Sequence, residues 1–232
     1  MPGQNFQIAI DGPVAAGKGT ISRLVADQLG FLYVDTGAMY RVATLLAVRA
    51  GTNLENEPAI VKLIRLSNIQ MRNPSHSEKD GRLTTVFLDG EDISWDIRTE
   101  SISSKVSIVA ALPKVREVLV KKQQIIAGTQ NVVMEGRDIT YRVLPDADLK
   151  IYLTGSDIVR AKRRHLQALQ RGEFVSYDDV FEQLKIRDKN DTERVNDPLQ
   201  IVDDAWVIDA SDLKIPQVVR LIVDKVRVMM DR

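Results

Sequence analysis

The chain of 232 residues contains no cysteine. That excludes disulfide frameworks, thiolate zinc sites and cysteine nucleophiles together. Only two histidines are present, His76 and His165; isolated from each other, they make no metal site and read as surface residues. Neither sign of charge dominates, because 32 lysines and arginines balance 32 aspartates and glutamates. With aromatics at 5%, a global grip on nucleic acid or an anionic membrane is not expected, and any anion site must be local. No run approaches the roughly 18 uncharged apolar residues of a membrane span. The opening MPGQNFQIAIDG has no basic region followed by a long apolar stretch, so the expected location is the cytoplasm.

What is present is an ordinary globular balance of 44% apolar and 28% charged residues. The length fits one large domain, or one domain with an insertion. Short apolar runs alternate with helical patterns. Phe6–Asp11, Phe31–Val34, Asn131–Glu135, Leu149–Leu153 and Ala205–Asp209 read as buried strands. Helices are expected over Thr20–Leu29, Ala38–Ala50, Ala59–Leu66, Ser101–Leu112, Val115–Ala127, Asp157–Gln170, Tyr177–Asp191 and Ile215–Met229. The middle differs. Asn68–Arg72, Leu83–Leu88 and Asp92–Ser94 are short runs, and Asp89-Gly90 between two of them is a hairpin signal, so a small antiparallel insert is expected over Ser67–Trp95. The alternation elsewhere predicts an α/β fold with a mostly parallel sheet covered on both faces, its ligands at the carboxyl ends of the strands. Trp95 and Trp206 are expected to be packing residues.

The first strand ends in Gly12-Pro13-Val14-Ala15-Ala16-Gly17-Lys18-Gly19-Thr20, which matches the phosphate-binding pattern G-x-x-x-x-G-K between a strand and a helix. Glycines let backbone amides wrap phosphates, and the helix adds its positive end. Lys18 then places a point charge on the outer phosphates. The hydroxyl that usually follows the lysine comes one residue late, at Thr20, so Mg²⁺ is expected to be held mainly by nucleotide phosphates and water. Glu135 closes a strand where a carboxylate can orient metal-bound water, so Thr20 and Glu135 are the candidate metal contacts, both indirect.

Asp188-Lys189-Asn190-Asp191 does not match the base-reading pattern of a GTPase. A small-molecule kinase remains, and it needs a second anion site. Val34-Asp35-Thr36-Gly37-Ala38-Met39-Tyr40-Arg41 presents a hydroxyl, an aromatic ring and an arginine at the next strand end, and Arg137 offers a bidentate fork after Glu135. Arg187, Asp191 and Arg194 recur at i, i+4 and i+7, which places them on one helix face. Arg160, Arg163, Arg164 and Arg171 form a second cationic stripe with Lys162. Such faces can equally be solvated surface, with weak pairs.

GPVAAGKGT, DTGAMYR, LPKVRE, EGRD, VLPDADLKIYL, RAKRR, RDKNDTER and DDAWVIDAS occur in an order that resembles the cytidylate (CMP/dCMP) kinases of bacterial type, from about Ile8 to Val223. The resemblance implies a P-loop three-layer α/β/α fold with a five-stranded parallel sheet, an enlarged monophosphate-binding insert and a mobile helical lid. It implies a single kinase unit over 1–232, with core 1–60, 114–157 and 195–232, insert about 61–113 and lid about 158–194. It implies transfer of the γ-phosphoryl group of ATP to CMP or dCMP with Mg²⁺, by a monomer. Ser107, Arg116 and Asp138 then match positions that read the acceptor's base, Thr36 matches another substrate-contacting position with Tyr40 packed nearby, Arg41, Arg137 and Arg194 match those that hold its phosphate, and Arg187 and Asp191 those that address its sugar. Lys18, Arg137, Arg187 and Arg163 are the expected catalytic residues, and Arg160, Arg163 and Arg164 the expected lid contacts to ATP. The alternatives are a kinase for another monophosphate such as UMP, one for a non-nucleotide acceptor, or an ATP-binding sensor that turns nothing over. Two departures from the family pattern stand out: Ala15 where a loop glycine is usual, and Thr140-Tyr141-Arg142 where a glycine and small residues usually follow Asp138, adding bulk and charge beside the expected base pocket.

Overall fold

The computed structural model describes residues 5–78, 80–170 and 172–231. Arg171, counted above in the cationic stripe, lies outside the described residues. The main sheet has five strands: β1 (Gln7–Asp11), β2 (Leu32–Asp35), β6 (Val132–Gly136), β7 (Leu149–Thr154) and β8 (Trp206–Asp209), in the order β2-β6-β1-β7-β8. A second sheet of three strands is formed by β3 (Ile69–Arg72), β4 (Thr85–Leu88) and β5 (Glu91–Asp92). By its contacts the chain divides into two compact units, Phe31–Met134 with the segment ending at Phe6, and Gln7–Gly30 with Glu135–Arg232. The expected insert lies wholly within the first unit and the expected lid wholly within the second.

In the first unit, α2 (Thr36–Arg49) starts where the Asp35 side chain accepts the Ala38 amide at 3.2 Å, a helix cap set by sequence. Asn56 caps α3 (Glu57–Leu66) in the same way. The expected hairpin forms: Leu88 faces Glu91 across Asp89 and Gly90, whose φ angles of 51° and 92° suit a tight two-residue turn. The continuous helix expected over Ser101–Leu112 does not form. It is broken into α4 (Glu100–Ser103) and α5 (Val106–Ala110). At the break the Ser104 hydroxyl bonds back to the Glu100 carbonyl at 2.9 Å, competing with the helical ladder. Pro113 opens α6 (Pro113–Thr129), where its missing N–H costs nothing. Ala43, Ile60, Ile64, Val86, Ile97, Val109 and Leu119 are fully buried in one cluster that ties these elements together. Trp95 is not a packed core residue; it is 47% exposed and donates its indole N–H to Asp80.

In the second unit β1, β7 and β8 are parallel, with Asp11 opposite Tyr152 and Thr154 opposite Asp209. Their carboxyl ends are therefore level, and the chemistry-bearing loops follow from that edge. α1 (Lys18–Leu29) packs against α9 (Ile215–Met230), and α7 (Asp157–Gln170) against α8 (Tyr177–Glu193).

Candidate active site

The phosphate loop lies in the second unit. Gly12 is required by its surroundings: a Cβ there would lie 2.0 Å from the Leu153 carbonyl oxygen. Gly17 begins α1 in the left-handed region at φ 96°, which glycine adopts freely. Pro13 and Ala16 are buried, Gly19 and Thr20 half-buried. Lys18 is buried, and its ammonium donates to the carbonyls of Gly12 at 2.7 Å and Pro13 at 2.8 Å. Burial first, and the Arg137 charge second, pull its pKa down to about 7, against the opposing carboxylates of Glu135, Asp11 and Asp191.

Asp11, the last residue of β1, has no exposed surface. Its carboxylate accepts the Ile139 amide at 3.0 Å, the Thr140 amide at 2.8 Å and the Thr140 hydroxyl at 2.7 Å. Burial raises its pKa, opposed by those donors. The turn it anchors is one π-helical turn, Ile139–Val143, directly after Asp138. Here the second departure in sequence, Thr140-Tyr141-Arg142, finds its place. Thr140 turns inward to Asp11, the Tyr141 hydroxyl donates to the Pro198 carbonyl at 2.6 Å, and the half-exposed Arg142 reaches Asp197 at 3.4 Å. The three side chains thus have partners of their own, and burial with the nearby Asp138 charge raises the Tyr141 pKa.

Glu135 is half-buried at the end of β6. Arg137 donates Nε to Asp191 Oδ2 at 2.6 Å and Nη1 to the Gly136 carbonyl at 3.1 Å. Burial, the largest single influence, would lower its pKa, but the carboxylates of Asp191, Glu135 and Asp11 together outweigh it and the result is raised. Arg194 lies past the last residue of α8, not on its face as the spacing predicted; its Nε donates to the Asp197 carbonyl at 2.6 Å, and Nη2 lies 3.8 Å from the buried Asp138. Arg187 is exposed on α8.

The cationic stripe on α7 needs correction at Arg160. It is 4% exposed, and its fork is filled by protein oxygens, at Gly155, Val14, Asp188 and Asp157. A guanidinium on the inward side of α7 has to be paired because burial would otherwise leave a bare charge. Arg163 is half-buried and donates to the Ala210 carbonyl at 2.6 Å, and Arg164 is exposed.

In the first unit, Thr36 is buried at the start of α2. Four residues on, the Tyr40 ring lies under the Arg116 guanidinium, 5.3 Å from carbon to ring centre, a cation–π geometry. Arg116 is buried on α6 and donates to the Ala110 carbonyl at 3.2 Å. Arg41 donates to the Ser103 hydroxyl at 2.7 Å. Ser107 is exposed on α5. Sequence reasoning missed Asp11, Ser103, Asp188 and Asp197. Asp11 left one signal, an acid closing an apolar strand immediately before the phosphate loop.

Among the described residues no group of three or more histidines and acids could hold a metal ion by itself. Among the described residues no helix is long and apolar enough to cross a membrane.

The family model for cytidylate kinase matches residues 8–228. The chain belongs to the cytidylate kinase family. It is 47% identical over 221 residues to the cytidylate kinase of Caldanaerobacter subterraneus, covering 95% of this chain and 94% of that one. It is 44% identical over 219 residues to the cytidylate kinase of Pelotomaculum thermopropionicum, covering 94% and 95%. A solved structure of an uncharacterized protein from Eubacterium ventriosum shares the fold, with a TM-score of 0.51, 10% identity and coverage of 96% and 99%. Membership in the cytidylate kinase family makes this chain a nucleotide-binding enzyme of the kinase class and supports phosphorylation of a nucleoside monophosphate.

Proposed function

We propose that the protein transfers the γ-phosphoryl group of Mg-ATP to CMP and dCMP, giving ADP with CDP or dCDP, as a cytoplasmic monomer. The observation that carries this reading is the near-full-length likeness to relatives named cytidylate kinase. The residues the chemistry needs are also present, and Lys18, Arg137, Asp138, Asp191 and Arg194 are bonded or electrostatically linked within the second unit.

In this account the loop Gly12–Thr20 seats the ATP phosphates, and Lys18 leaves the Gly12 and Pro13 carbonyls for the phosphoryl group. Mg²⁺, when bound, would neutralise phosphate charge, and Thr20 and Glu135 are the residues that would contact it, indirectly. A phosphate oxygen of the acceptor attacks the γ-phosphorus, and the bond to the bridging oxygen of ADP breaks. The attacking oxygen is already anionic, so no general base is needed; catalysis is positioning and charge stabilisation. Arg163 and Arg164 are the lid cations left for that charge. Arg41, Arg137 and Arg194 hold the acceptor phosphate, while Arg187 and Asp191 address its sugar. Ser107, Arg116 and Asp138 address its base, Thr36 makes a further substrate contact and Tyr40 packs nearby, assignments that rest on family likeness. Asp138 would accept from the cytosine amino group, where uracil presents an oxygen and is repelled.

The test is ³¹P NMR of the protein with ATP, Mg²⁺ and CMP. Resonances of CDP and ADP growing together support the reading. ATP that binds but yields no CDP overturns it and favours a sensor.

A further inference from the structure

Val14, in the phosphate loop, is held at both of its peptide groups from outside the loop. Its N–H donates to Asp188 Oδ1 at 3.1 Å, and its carbonyl accepts from Arg160 Nη1 at 2.9 Å. The two clamping side chains also meet, with Arg160 Nη1 2.5 Å from Asp188 Oδ2. The remaining Arg160 donors go to the Gly155 carbonyl and to Asp157. Of the two carboxylates on Arg160, Asp157 is 55% exposed and Asp188 is 19% exposed. Asp188 is therefore the less screened counter-charge for a buried cation.

The next residue shows what the clamp holds. Ala15 sits at φ 58°, a left-handed conformation that is unfavourable for a residue with a Cβ. Such a conformation persists only where the surroundings over-determine it. A Val14 peptide fixed on both sides supplies that constraint. Left-handed residues at Ala15 and Gly17 let neighbouring amides converge on an anion. The clamp also borders a cavity of about 340 Å³ lined by Pro13, Tyr152, Asp157, Lys185 and Thr192, among others. The loop thus has room to relax if the clamp is cut.

We propose that Asp188 is a positioning residue for phosphoryl transfer. It acts through Arg160 and the Val14 peptide to keep the phosphate loop in its anion-binding shape. It accepts an amide hydrogen from the protein and touches neither nucleotide. The inference rests on the loop being the seat of the ATP phosphates and not on which acceptor is used.

The test is calorimetric titration of the wild type, Asp188→Ala and Asp188→Asn with Mg-ATP and separately with CMP, well below each melting temperature. Asp188→Ala should raise the Kd for Mg-ATP tenfold or more and leave that for CMP within twofold. Asp188→Asn keeps an oxygen for the Val14 amide but loses the charge facing Arg160, so its Kd for Mg-ATP should fall between; it carries the test alone if the alanine variant does not fold. Arg160→Lys cannot bridge the same acceptors and should resemble Asp188→Ala, with the double variant no worse than the weaker-binding single one. A lower melting temperature with unchanged Kd for Mg-ATP would overturn the proposal, as would equal losses for both nucleotides. If the wild type binds Mg-ATP but not CMP, the acceptor assignment fails, and the Mg-ATP comparison still decides the role of Asp188.

Discussion

Arg137 Nε and Asp191 Oδ2 lie 2.6 Å apart, joining the residue just after β6 to the last turn of α8. Both side chains are about one-fifth exposed, at 19% and 20%. Each is assigned to the acceptor by family likeness, the arginine to its phosphate and the aspartate to its sugar. The pair thus keeps both charges satisfied, and an acceptor would exchange it for substrate contacts. Asp191→Ala should cost about 1.5–3 kcal/mol, the usual range for a charge-assisted hydrogen bond, and raise the KM for CMP at least tenfold. Urea unfolding and steady-state kinetics would check both. Unchanged KM would remove Asp191 from the acceptor site.

Lys18 makes a prediction about pH. Its pKa in the folded protein is near 7, well below the ordinary lysine value of 10.5. Between those values the unfolded chain binds more protons, so this group adds stability as pH rises through that window. The stability of the wild type relative to Lys18→Met should therefore climb from pH 7 towards pH 10. Bound phosphates favour the charged ammonium, so Mg-ATP binding at pH 8 should take up protons. Calorimetry in two buffers of different ionisation enthalpy would show the uptake in the wild type and its reduction in Lys18→Met. Equal uptake by both proteins would contradict the assignment.

Thr140 tests the anchoring of the turn after Asp138. Thr140→Val removes one of the three donors to the buried Asp11 carboxylate. The expected loss is about 1–3 kcal/mol. Thr140→Ser keeps the hydroxyl and should recover most of it. Urea midpoints of the three proteins decide the matter, and a valine variant as stable as wild type would show that the hydroxyl contributes nothing there.

The local parts of this fold were legible in sequence. Glycine and lysine spacing located the phosphate loop, Asp89-Gly90 located the hairpin, and the bounds of α7 follow its charge and apolar period. The long-range parts were not. Asp11 and Thr140 are 129 positions apart and Val14 and Asp188 are 174 apart, and no periodicity links such residues. Arg160 shows the same blindness from the other side. Its spacing grouped it with Arg163 and Arg164, but one turn along α7 separates a buried, fully paired guanidinium from an exposed one on the same face. The break between α4 and α5 was hidden because serines fit a helical pattern while their hydroxyls compete for its carbonyls.

The most direct test of the central claim is coupled ADP release with Mg-ATP, comparing kcat/KM for CMP, dCMP, UMP and AMP in the wild type and Asp138→Ala. The account predicts strong turnover of CMP and dCMP, little of UMP or AMP, and a loss on removing Asp138 that is larger for CMP than for UMP. Preference for UMP or AMP in the wild type, or equal losses for CMP and UMP, would contradict it.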